Sequence, residues 1–389
     1  MKRPLKHLLS LTLALVLSTT QASAFETTAR AAFVLDQTTG TVLLTKNADT
    51  PLPPASMSKL MTLYMAFEAV RDGRLAMEEK LAVSQHAMSY GGSTMFLDTT
   101  DRIKVADLLR GIIVLSGNDA CAVIAEALSP DGTEAGFARF MTRRAHQLGM
   151  TNSTFVNSNG WPAEGHRMSM RDLALLANLL ISDFPEFYPM FSETKFAFDG
   201  RAPKNTLNRN PLLKLDIGAD GLKTGHTSEA GYGLVGSARQ GDRRVIFVIS
   251  GLNSASERAE VSESIVNWAF RQFAASKLAR EGQRITQADV WMGALPKVGL
   301  VPAKDIDVLL PVLGSKDVAA EVVYHGPVQA PITKGQKLAE LVIMPEDLPE
   351  IRVPLVAEHD VAAGGFSARL KTATTVLMQQ MGLKVEGAL

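Results

Sequence analysis

Between positions 60 and 70 the residues Leu60, Met61, Leu63, Tyr64, Met65, Phe67, Ala69 and Val70 cover a helical projection nearly all round. That is the pattern of a helix buried at a domain centre. Pro53 and Pro54 stand just ahead of it, tolerated in a first turn but not in a helix interior, so the helix starts there. Upstream, apolar runs at 31–35 and 42–44 flank Asp36-Gln37-Thr38-Thr39-Gly40 and predict a β-hairpin. Downstream, helical periodicity recurs over 105–115, 122–128, 137–148, 168–181 and 255–273, and strand patterns over 231–237 and 244–250. Residues 90–95, with Gly91 and Gly92, read as a mobile loop, and 157–162 as a turn cluster. Hairpin, helical middle, strands and a last helix predict an α/β domain with one antiparallel sheet and a helical cluster.

The pattern changes after residue 276. Short alternating or apolar segments near 290–292, 306–310, 321–324, 338–343 and 351–356 are punctuated by Gly and Pro, which predicts a small all-β domain, a sandwich. No nucleophile–base pair, metal cluster or phosphate loop stands out in it. Beyond Gly364-Gly365 a helical pattern returns, with Phe366, Leu370, Ala373, Leu377 and Met381 on one face and Lys371, Thr372, Thr375 and Gln379 opposite. The first 24 residues have a basic start, an apolar stretch from Leu8 to Leu17 and Ala22-Ser23-Ala24, the layout of a secretory signal peptide. The expected division is therefore a signal peptide at 1–24, a first domain at 25–276, an all-β domain at 277–363 and an amphipathic helix at 364–389.

Composition narrows the function classes. About 365 residues remain after the signal peptide, enough for two domains and a sizeable core. Forty basic residues balance forty acidic ones, which argues against nucleic acid as a bulk partner. A single cysteine, Cys121, excludes an intramolecular disulfide and reads as a small buried hydrophobe.

Candidate chemistry lies at three places. Ser56-Met57-Ser58-Lys59 sets a hydroxyl and an amine on one face of the first helical turn. Burial would depress the lysine pKa so that the neutral amine takes the serine proton, while free N–H groups at the helix start suit an oxyanion. A solvated Lys59 beside a capping Ser56 is the plainer reading, since a chain this long holds on the order of one Ser-x-x-Lys match by chance. Ser116-Gly117-Asn118 presents polar groups at an elbow between two helices, where Asn118 or Asp119 can equally cap the second. Lys223-Thr224-Gly225-His226-Thr227 reads as a strand whose Gly225 permits close approach of a ligand, or as a strand end with a solvated lysine.

Taken together and in this order, the three motifs resemble those of the low-molecular-mass penicillin-binding proteins, specifically the D-alanyl-D-alanine carboxypeptidases of peptidase family S11. The likeness extends to the domain plan. It implies a serine β-lactamase/penicillin-binding-protein-like fold, and a serine enzyme that removes the terminal D-alanine from peptidoglycan stem pentapeptides through an acyl-enzyme, with no metal or cofactor. By that resemblance Ser56 is the nucleophile and Lys59 its base, and Ser116 and Lys223 relay a proton to the leaving D-alanine. Asn118 holds Lys59 and the substrate amide. Ser56 and His226 supply oxyanion N–H groups, Gly225 lets the substrate approach the strand, and Thr224 and Arg209 bind the terminal carboxylate. The spacing from Arg209 to Lys223 is about one residue shorter than the family pattern. The resemblance further implies β-lactams as inhibitors, export to the periplasm, and peripheral attachment to the outer face of the cytoplasmic membrane through the C-terminal helix. Two other classes share these features. A β-lactamase is opposed by Gly117, by the absence of an evident Glu-x-x-Leu-Asn motif and by the extra β domain, and a non-catalytic wall-binding scaffold would not need Lys59.

Overall fold

The computed structural model describes residues 25–312, 318–345 and 348–366. The expected signal peptide, and all of the C-terminal helix after Phe366, lie outside the described residues.

The predicted hairpin is β1 (Ala31–Asp36) and β2 (Val42–Lys46). A single 3₁₀ turn, Ala55–Ser58, then leads into α1 (Lys59–Arg71), whose residues from Lys59 to Phe67 are all buried. A small ribbon, β3 (Lys80–Ala82) with β4 (Arg102–Lys104), brackets the short α2 (Gln85–Met88). There follow α3 (Val105–Arg110), α4 (Asn118–Leu128), α5 (Glu134–Gln147) and α6 (Met170–Asp183). The chain returns to the sheet through β5 (Ala219–Thr227), β6 (Gly231–Gln240) and β7 (Arg243–Leu252), and α7 (Ala255–Gln272) closes the domain.

The five strands form an antiparallel sheet in the order β2-β1-β7-β6-β5, which leaves one edge of β5 unpaired. Strand alternation divides the core in two. Ala31 and Phe33 face the helical cluster built on α1, while Ala32 and Val34 face Ile265, Val266 and Ala269 of α7.

Three local readings need correction. The helix expected over 105–115 breaks at Arg110 and continues as one wide π turn, Gly111–Leu115, which ends on Ser116 in the left-handed region at φ 64°. Neither Asn118 nor Asp119 caps α4; Gly117 holds the N-cap position. The two side chains bind the 90–97 segment instead. Asn118 Nδ2 donates to Gly91 O at 2.8 Å, and the Asp119 carboxylate accepts from the N–H groups of Met95 and Leu97 at 2.9 and 3.1 Å. The loop expected to be mobile is therefore tied down by two side chains that a capping role would have used elsewhere.

The all-β region comprises β8 (Phe273–Ala279), β9 (Thr286–Trp291), β10 (Lys297–Pro302), β11 (Ile306–Pro311), β12 (Ala319–Tyr324), β13 (Val328–Gln329), β14 (Lys337–Met344) and β15 (Ile351–Ala357). Six strands make a sheet in the order β12-β14-β15-β10-β9-β13, and β8 pairs with β11 as a separate ribbon. Ala279, Ile306 and Val308 of the ribbon share one core with Leu300, Ile343 and Leu355 of the sheet. β8 was not expected: its alanine-rich sequence, Phe-Ala-Ala-Ser-Lys-Leu-Ala, has helical propensity, and pairing with β11 overrides it.

Candidate active site

The nucleophile candidate sits in the 3₁₀ turn, whose first N–H groups have no carbonyl one turn back to bond. Its predecessor Ala55 is held at φ 48°, a left-handed conformation costly for a residue with a Cβ. Two close approaches fix the turn. A Cβ on Gly225 would lie 2.9 Å from Pro54 O, and one on Gly160, itself at φ 82°, would lie 1.9 Å from Ala55 O. Glycine at both positions thus lets β5 and the 157–161 loop press against the turn from two sides.

Lys59 is wholly buried, and its Nζ has three oxygen neighbours: Ser56 Oγ at 2.8 Å, Asn118 Oδ1 at 2.7 Å and Asn159 O at 2.5 Å. The Nδ2 bond to Gly91 O orients the Asn118 amide, turning its oxygen toward the lysine. Burial brings the Lys59 pKa down from 10.5 to about 8. A neutral amine has two hydrogens. Two of the three neighbours are carbonyl oxygens that can only accept, so they take both hydrogens, and the nitrogen lone pair is left for the Ser56 hydroxyl.

Across the cleft, Lys223 Nζ donates to Ser116 Oγ at 2.9 Å and to Thr224 O at 3.3 Å. Lys223 is buried, and desolvation, followed by the nearby Lys59 and Arg209 charges, holds its pKa well below the usual lysine value. The left-handed Ser116 lets the chain reverse after the π turn, with Gly117 N donating to Gly111 O at 3.1 Å. Thr224 is buried beside Lys223 on β5, and His226, exposed, stacks on Tyr232 with ring centroids 3.8 Å apart.

Arg209 reaches the same region from the irregular segment before β5. Its Nη1 donates to Ser93 Oγ at 2.6 Å and its Nη2 to Leu115 O and Asn205 Oδ1 at 3.1 and 3.2 Å. Among the described residues no carboxylate lies within ion-pair distance of it. Its bond to Ser93, which lines the cleft, brings its charge to that side without a counter-ion among the described residues.

The structure adds residues that the motifs did not indicate. Asn159 contributes a backbone carbonyl, which no side-chain pattern can signal. Glu134 holds that loop in place. Its Oε1 accepts from Ser158 N–H and Oγ at 2.9 and 2.5 Å, and its Oε2 accepts from Tyr90 OH at 2.6 Å and bonds His86 Nε2 at 2.7 Å. Burial pushes the Glu134 pKa up, but the hydrogen bonds from Ser158, Tyr90 and His86 outweigh it and keep the carboxylate ionised. Arg258 of α7 is buried with no partner for its Nε among the described residues, and its guanidinium lies 5.7 Å from the Tyr232 ring centre. Like Arg209, it adds positive field at the end of the cleft. Its only sequence signal was an arginine on the core-facing side of an amphipathic helix.

Between the 3₁₀ turn, the 91–93 loop, the 159–162 loop and the end of β5 lies a cleft of about 500 Å³. Ser56, Asn118, Asn159, Trp161 and His226 open onto it.

Comparison with known proteins accords with this geometry. Residues 18–254 match the family described as D-alanyl-D-alanine carboxypeptidase, and residues 273–363 match the C-terminal domain of penicillin-binding protein 5. The chain is 35% identical to D-alanyl-D-alanine carboxypeptidase DacC of Escherichia coli K12 over 351 residues, covering 88% of this chain and 86% of that protein. Penicillin-binding protein 5 of Haemophilus influenzae superposes with a TM-score of 0.77 at 32% identity, covering 87% of this chain and 99% of that one. Penicillin-binding protein D2 of Listeria monocytogenes, solved in an ampicillin-bound form, superposes with a TM-score of 0.56 at 33% identity over 63% of this chain and 98% of its own.

Proposed function

The chain belongs to the D-alanyl-D-alanine carboxypeptidase family, a family of serine hydrolases of the cell wall, and from that premise we propose how its residues share the reaction. Ser56 Oγ attacks the carbonyl between the two terminal D-alanines of a stem peptide. Lys59 Nζ accepts the hydroxyl proton, and N–H groups of Ser56 and His226 stabilise the oxyanion. Through Ser116, bonded to Lys223, the proton taken up by Lys59 passes on to the departing D-alanine nitrogen, which returns Lys59 to its neutral form, and Asn118 orients Lys59 and the substrate amide. Water then cleaves the ester with Lys59 again as base. Thr224 and Arg209 hold the terminal carboxylate, a task suited to a guanidinium fork with no protein counter-ion. The observation that carries this reading is the Lys59 environment, where two obligate acceptors leave the lone pair facing Ser56.

By the same chemistry a β-lactam acylates Ser56. Slow loss of that acyl group is supported by Glu134, whose oxygens are taken by Ser158, Tyr90 and His86 and do not activate a water. The test is release of D-alanine from a D-Ala-D-Ala-ended peptide. Wild type releases it, Ser56→Ala does not, and equal activity in both would contradict the assignment.

The proposal extends to placement in the cell. Residues 1–24 direct export to the periplasm, the division between domains falls near residue 276, and the C-terminal amphipathic segment lies on the outer face of the cytoplasmic membrane. The support is the residue pattern of those segments. No helix among the described residues is long and apolar enough to cross a membrane. Truncation after Gly365 gives an active enzyme that no longer sediments with membranes; inactivation on truncation would assign the segment to the fold instead.

A further inference from the structure

The free edge of β5 offers an extended peptide backbone a strand to pair with. A peptide that adds to this edge in the antiparallel sense, with its carboxylate near Lys223 and Thr224, runs back past His226 toward Thr227 and beyond. At a strand rise of about 3.3 Å per residue, the penultimate D-alanine then stands opposite His226 and the third residue of the stem at Thr227, where β5 ends and the turn that carries Glu229 begins.

That end of the cleft is built differently from the rest. Its wall is Trp161 and Pro162, with Trp161 45% exposed yet held at both backbone ends: its N–H donates to Asn159 Oδ1 at 2.8 Å, and its carbonyl accepts from Asn157 Nδ2 at 2.9 Å. Behind its ring is the Gly92 backbone, where an added Cβ would lie 3.1 Å from the indole. Beyond this apolar wall stands an ion pair that bridges two separate loops, Arg167 Nη2 to Glu229 Oε1 at 3.1 Å. The cleft and a smaller depression beside it share Gly160, Trp161, Pro162, Thr227 and Glu229, and Arg167 lines the depression. Both charged side chains are partly exposed, and a pair of this kind opens at little cost.

We infer that Trp161, Pro162, Arg167 and Glu229 form a subsite for the side chain of the third stem residue. This subsite favours a side chain that ends in a zwitterionic amino-acid head over one that ends in a lone amine. The inference rests on the carboxypeptidase reading. Its physical basis is a match of apolar and charged groups. The aliphatic part of a diamino acid lies along the indole and the proline, leaving only the head group at the ion pair. A head with one ammonium and one carboxylate replaces both partners at once, ammonium to Glu229 and carboxylate to Arg167. A lone ammonium takes Glu229 and leaves Arg167 without its counter-charge.

The experiment uses three pentapeptides ending in D-Ala-D-Ala that differ only in the third residue: meso-diaminopimelate with free side-chain amine and carboxylate, the same residue amidated on that carboxylate, and L-lysine. Wild-type kcat/KM for the free zwitterion exceeds that for the other two by about threefold to tenfold at low ionic strength, through KM, and the preference shrinks with added salt. It falls toward one in Arg167→Ala and in Glu229→Gln. Equal kcat/KM for all three peptides in wild type, or a preference that survives both substitutions, overturns the subsite. No D-alanine release from any of the three by wild type overturns the carboxypeptidase reading beneath it, and the subsite with it.

Discussion

The two regions of the molecule bury different things. Among the described residues, every buried polar or charged side chain lies at or before Ser262, whereas the interior of the all-β region is made of side chains such as Leu300, Ile343 and Leu355. Around the cleft, two lysines sit without an acidic partner, and Ala55 and Ser116 hold left-handed backbone conformations. Each of these features opposes folding. In the all-β region the charges stay outside, in pairs such as Arg284–Glu358, which contribute little. The difference teaches that stability and chemistry are drawn from separate residues here: the cleft is a cost to the fold that the apolar cores of both regions offset.

The comparison can be broken most forcefully at Lys59. Lys59→Met is expected to lower kcat/KM by roughly 10³-fold or more, by loss of the base. Its stability should change by no more than about 1–2 kcal/mol. Relief of a shift from 10.5 to about 8, worth about 3 kcal/mol, opposes the loss of three hydrogen bonds at about 1 kcal/mol each. A variant that unfolds would make the lysine a structural residue and remove the contrast. The converse is Ile343→Ala in the all-β core, expected to cost about 2–5 kcal/mol in denaturant titration. Its kcat/KM at temperatures below the transition should stay that of wild type.

The pH dependence sharpens the same point. Below about 8 Lys59 is protonated and cannot accept the Ser56 proton, so kcat/KM should rise about tenfold per pH unit and level off near that value. Stability has the same origin and its sign is fixed. The folded pKa is lower than the unfolded one, so between about 8 and 10.5 the unfolded chain binds more protons. The burden of Lys59 on the fold is thus complete below that window and is relieved as pH rises through it. Lys59→Met should flatten this part of the stability profile. The smallest effect belongs to the surface: Arg284→Ala is expected to change stability by less than about 1 kcal/mol and activity not at all.

Much of this contrast was readable from the residues themselves. The buried helix, the hairpin and the small β region follow from apolar periodicity. The motifs around Ser56, Ser116 and Lys223 lie more than a hundred residues apart at their extremes, yet the structure brings them to one cleft. What escaped detection was long-range or carried by the backbone. The Asn159 carbonyl has no residue signature, and Glu134 acts on a loop 24 residues away through Ser158. Asn118 and Asp119 had a plausible local use as caps, and only the neighbouring loop decides against it. β8 was hidden because strand pairing, not propensity, determines its conformation.

The central claim, that Ser56 is an activated nucleophile in a site that acylates readily and deacylates slowly, is tested most directly by mass spectrometry after brief exposure to benzylpenicillin. The account predicts one added penicilloyl group per chain, mapped to the peptide containing Ser56, persisting long after free drug is removed, and absent from Ser56→Ala. An adduct on another residue, or penicillin consumed rapidly and repeatedly with no accumulating adduct, would contradict it.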